Sequence, residues 1–95
     1  MIVRLMGEGQ WRVDDALKAR LDELDAETER AAELGDEQAL HAALQAMHDM
    51  VREAGEKLEH AHLGASDAVI PPADLSVEDA RAMLEGEDIF PDVVP

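Results

Sequence analysis

Residues 14–54 read DDALKARLDELDAETERAAELGDEQALHAALQAMHDMVREA, and the interpretation of this stretch decides the fold. Leu17, Leu21, Leu24, Thr28 and Ala31 recur at alternating spacings of four and three, which places them on one stripe of a 3.6-residue helix. Leu40, Ala43, Leu44, Met47, Val51 and Ala54 form a second stripe of the same kind. Between them, Gly35 suits the left-handed C′ conformation that ends the first helix, and Asp36 suits the N-cap of the second. So short a connection leaves the helices antiparallel, stripe against stripe.

The flanks of the first helix differ. Arg20, Glu23, Glu27 and Arg30 alternate in sign, a ladder worth roughly a few tenths of a kcal/mol per pair. On the other side Asp22, Asp25, Glu29 and Glu33 line up with only Lys18 to offset them. The plain interpretation is a solvated acidic face. The sharper one is a docking strip for a basic helix, with Asp22, Asp25 and Glu29 as candidate partner-binding residues.

Residues 1–13 read as a β-hairpin. Ile2–Met6 and Gln10–Val13 favour strands, and Gly7-Glu8-Gly9 supplies the positive φ angles of a tight turn. Alternation puts Trp11 and Val13 on one face, with Gln10 and Arg12 on the other. Trp11, the single tryptophan, is a core plug between hairpin and helices or, in the alternative, an interface anchor. Two strands alone are marginal in water, so the hairpin needs the helices or a third strand.

Beyond Ala54, residues 55–75 read as a surface loop with an edge strand near 67–70, stopped by Pro71-Pro72. Ser76 then opens a helix over 76–86, with Asp79 at capping-box spacing and Gly86 as its stop. Residues 87–95 form a tail in which Ile89 and Phe90 dock as a plug. The expected architecture is α+β in a single domain over residues 1–95.

The opening MIVRLMGEGQWRVD (Met1–Asp14) and the stretch SDAVIPPADLS (Ser66–Ser76) resemble the PspA-associated (PspAA) family. MGEGQ at Met6–Gln10 and PPADL at Pro71–Leu75 are its distinctive parts; the helices between are generic. Members are small proteins that accompany PspA, the phage-shock coiled-coil protein of membrane stress. The resemblance implies a non-enzymatic partner of a PspA-like protein, regulatory in the envelope-stress response and without a cofactor. Glu59-His60-Ala61-His62 lies outside what the resemblance supports.

Composition narrows the remaining chemistry. The net charge of −15 repels phosphate backbones and anionic lipid, so unassisted binding to nucleic acid or a bilayer is disfavoured. No apolar run approaches the roughly 18–20 residues of a membrane span, and Met1–Met6 is too short for a secretion signal's apolar region. A cytoplasmic protein is the expectation. The absence of cysteine removes disulfides, thiolate metal sites and cysteine nucleophiles.

Catalytic candidates are scarce. Thr28 lies in a helix stripe, Ser76 serves as a cap, and Ser66 has no evident base. His41 and His48 are seven residues apart, about 10 Å along a helix. Ligands of one zinc need nitrogens at about 2 Å from the ion, so these two read as surface or boundary residues. His60 and His62, with Glu59 or Asp67, make the better metal candidate and carry the alternative of a small metal-binding protein or enzyme. A further alternative is self-association, two copies joining their stripes in a four-helix bundle. No residue is assigned as catalytic, cofactor-binding or metal-binding.

Overall fold

The computed structural model describes residues 1–58 and 66–84. The chain opens with β1 (Ile2–Leu5) and β2 (Gly9–Arg12), antiparallel, with Val3 opposite Trp11 and Leu5 opposite Gly9. Gly7 and Gly9 both take positive φ, 90° and 87°, which lets the chain reverse tightly. A one-turn 3₁₀ helix, Asp15–Leu17, then leads into α1 (Lys18–Leu34). Asp14 caps that turn by accepting from the Ala16 N–H at 2.8 Å.

The reversal between α1 and α2 (Glu37–Ala54) forms as the residue types require. Gly35 is left-handed at φ 73°, and its N–H and that of Asp36 close back on the carbonyls of Ala32 and Ala31. The Asp36 carboxylate accepts from the Ala39 N–H at 3.0 Å. Leu21, Leu24 and Ala31 of α1 face Leu40, Leu44, Met47 and Val51 of α2, all buried in one core with Val3 and Leu5 of the sheet. Ala32 is buried as well, beyond the expected stripe, whereas Ala54 is exposed because α2 ends there, at the rim.

Two short strands complete the sheet. β3 (Glu56–Lys57) pairs antiparallel with β2, and β4 (Ala68–Ile70) pairs parallel with β1, giving the order β3-β2-β1-β4. The edge strand expected before Pro71 is therefore present. β3 corrects the expectation of a loop after Gly55. Two exposed, charged residues carry no period to read, and their pairing follows from position: Gly55 turns the chain directly beside β2. A Cβ at Gly55 would lie 2.6 Å from the Val51 carbonyl oxygen and 3.1 Å from that of Arg12, so only glycine fits this close approach.

The last described element is α3 (Val77–Leu84). The Ser76 hydroxyl accepts from the Asp79 N–H at 3.1 Å, as the capping spacing implied. Arg81 of α3 donates to the carbonyl oxygen of Ala32 at 2.9 Å. That places a guanidinium on the C-terminal carbonyls of α1, where a cation is favoured. Gly86 and the Ile89–Phe90 plug lie outside the described residues.

Candidate functional site

α1 is held by α2 on one side and α3 on the other, and it leaves a groove between itself and β4. The groove encloses about 360 Å³. Its floor is apolar: Leu21, Leu44, Met47, Ile70 and Leu75 are all buried residues that line it. Ala80 and Met83 of α3 close one end. Along the α1 lip stand Asp22, Asp25 and Glu29, with Thr28 between the last two.

These three carboxylates belong to the acidic strip of the sequence, whose fourth member, Glu33, does not line the groove, and the fold sets them beside an apolar hollow. Asp22 is paired with Lys18 at 2.9 Å. Asp25 and Glu29 have no ion-pair partner among the described residues. The Asp25 carboxyl, exposed at the lip, is raised from its ordinary value, first by partial desolvation beside its neighbours and second by the neighbouring charge of Asp22. The Lys18 ammonium is raised in turn by its contact with Asp22. On the opposite flank only Arg20 and Glu23 pair, at 3.0 Å, and no pair forms for Glu27 or Arg30 among the described residues.

Trp11 is not part of this groove. It lies on β2, half-buried against the core, with the Lys57 ammonium 5.9 Å from its ring centroid. Its indole N–H is buried and has no hydrogen-bond partner among the described residues. The structure thus divides the candidate partner-binding residues into an acidic set on one groove and a tryptophan two strands away from β4.

A second cluster was not anticipated. His48, read from spacing as a surface or boundary residue, is 3% exposed. Its Nε2 lies 2.7 Å from the Pro71 carbonyl oxygen and its Nδ1 3.3 Å from the Glu8 carboxylate. A carbonyl can only accept, so Nε2 carries the hydrogen. Arg52 approaches the other Glu8 oxygen at 3.3 Å. The turn of MGEGQ and the prolines of PPADL cover this flank of α2, which is why helical spacing alone placed His48 wrongly. His41 repeats the arrangement one flank-step earlier, its Nε2 2.8 Å from the Leu75 carbonyl oxygen.

His60 and His62 lie outside the described residues. Among the described residues no three metal-ligating side chains come together, and no helix is long and apolar enough to cross a membrane.

A small sheet thus carries a helical hairpin, with an apolar groove beside an acidic lip. The family model described as PspA-Associated protein matches residues 1–92; the chain belongs to the PspAA family. Neither a curated protein nor a solved structure matches it. The resemblance seen in MGEGQ and PPADL therefore extends over nearly the whole chain, and the two stretches that carried it meet at His48.

Proposed function

We propose that this protein is a non-enzymatic regulatory partner of a PspA-like coiled-coil protein in the envelope-stress response, acting in the cytoplasm. The family match over residues 1–92 carries this reading. The physical features agree with it. A chain of net charge −15 does not approach anionic lipid or nucleic acid unaided, so a protein intermediary is its route to a membrane event. His41 and His48 are both engaged with backbone carbonyls.

The test is co-elution of the purified protein with the PspA-like protein of the same cell. Association is expected at low ionic strength, weakening as salt rises. Failure to associate at low salt would refute the reading. Self-association through the helix stripes is less favoured, because those stripes are already closed within one chain by the sheet and α3. Light scattering at high concentration tests that separately.

A further inference from the structure

We infer that the groove between α1 and β4 receives an amphipathic helical segment of a protein partner, its aliphatic face on the groove floor and a row of Lys or Arg along the α1 lip. This rests on the interaction reading above and gives that reading a surface and a partner chemistry. The floor offers buried aliphatic groups with an opening of about 360 Å³, enough for a few side chains and near the lower end of the roughly 300–1,000 Å³ typical of ligand clefts. What separates it from a small-molecule site is the layout of its charge. Asp22, Asp25 and Glu29 stand along one helix edge over about 10 Å, a linear array. A small ligand is oriented by convergent polar groups; a line of carboxylates matches a line of cations at helical spacing.

Charge also selects among occupants. Residues 85–95 contain Glu85, Glu87, Asp88 and Asp92 and no Lys or Arg, so this chain's own C-terminal stretch would bring like charge to the lip. A second copy would bring a net charge of −15 to the same place. A basic-flanked partner alone relieves the lip, where Asp25 and Glu29 have no cation among the described residues. Bringing a cation to Asp25 favours its ionised form, which partial desolvation and the neighbouring Asp22 charge disfavour.

The experiment uses the full chain and a designed helical peptide of roughly 18 residues, five turns at 3.6 per turn, with leucines on one face and lysines along one flank. Binding is read by fluorescence anisotropy at low salt and mapped by amide NMR shifts. The lysine peptide should bind, shifting Thr28, Val69 and Leu75, and the same peptide with Glu in place of Lys should not. The double variant Asp25→Asn/Glu29→Gln should weaken binding by about fivefold, the size expected of two exposed ion pairs. The pair Glu23→Gln/Glu27→Gln, on the far flank of the same helix, should change it by less than about twofold. Equal losses from the two pairs, shifts centred on Trp11, or contacts between Phe90 and Met83 in the free protein would each overturn the inference. A PspA-like protein that binds the parent and the Asp25→Asn/Glu29→Gln variant alike would remove the groove while leaving the proposed function intact. Peptide binding at the groove without any PspA-like association would do the reverse.

Discussion

The imidazole Nε2 of His48 lies 2.7 Å from the carbonyl oxygen of Pro71, in the buried interior. Together with the His41 contact to the Leu75 carbonyl, it fastens α2 to the segment between β4 and α3. On its other nitrogen the His48 ring reaches Glu8 in the β-hairpin turn. Replacing His48 with Leu keeps the apolar volume but strands a buried carbonyl, at a cost of about 1–3 kcal/mol. Glu8→Gln, at a half-exposed pair, should cost no more than about 1 kcal/mol. Urea unfolding of the two variants checks the order; equal costs would show that the Pro71 contact contributes nothing.

Leu44 is fully buried, packed in the core and lining the groove floor from α2. Leu44→Ala should destabilise by about 2–5 kcal/mol, and Leu44→Asp should leave no cooperative melting transition because it buries an unpaired charge. A Leu44→Asp protein that melts like the parent would place this side chain outside the core.

Gly35 holds φ 73°, and a Cβ there would also sit 3.2 Å from Arg81 Nη2. Gly35→Ala should cost about 1–2 kcal/mol for the left-handed backbone. It should also disturb the Arg81 contact with α1, which an added loss of amide-exchange protection in α3 would reveal.

Asp25 has a pH signature of defined sign. Its folded-state value lies above the ordinary carboxylate value because partial desolvation at the exposed lip, and then Asp22, disfavour the charged form. Between those two values the folded state holds more protons than the unfolded one, so its contribution to stability falls as pH rises through that window. Asp25→Asn removes this dependence. The variant should melt higher than the parent at pH 7, and the advantage should shrink as pH drops below the carboxylate range. A lower melting temperature at pH 7 would show that Asp25 is stabilising where it stands.

How far the sequence discloses this arrangement depends on the range of the interactions. The helical reversal is local: a 3.6 period, a glycine and a capping aspartate within a few residues determine it, and the turn at Gly35-Asp36 forms as expected. The β-hairpin is equally local, since Gly7 and Gly9 supply the reversal. β3 is not legible, because two charged residues have no alternation and pair only through where Gly55 delivers them. His48 is not legible either, as its burial depends on Glu8 and Pro71, 40 and 23 positions away. The acidic row was visible as spacing, but the hollow beside it exists only once β4 and α3 are in place.

The seam between β1 and β4 joins stretches 65 positions apart, as in the bond from the Ile2 N–H to the Asp67 carboxylate. Closing that span costs more loop entropy than closing the β-hairpin, and the three residues of β4, the Met6 N–H bond to the Ile70 carbonyl and the His48–Pro71 contact offset it. The groove is thus bounded by the strand whose pairing closes the longest loop in the sheet. A guest that binds only when β4 is in place stabilises that strand by mass action, and slower amide exchange along Ala68–Ile70 is the expected reporter.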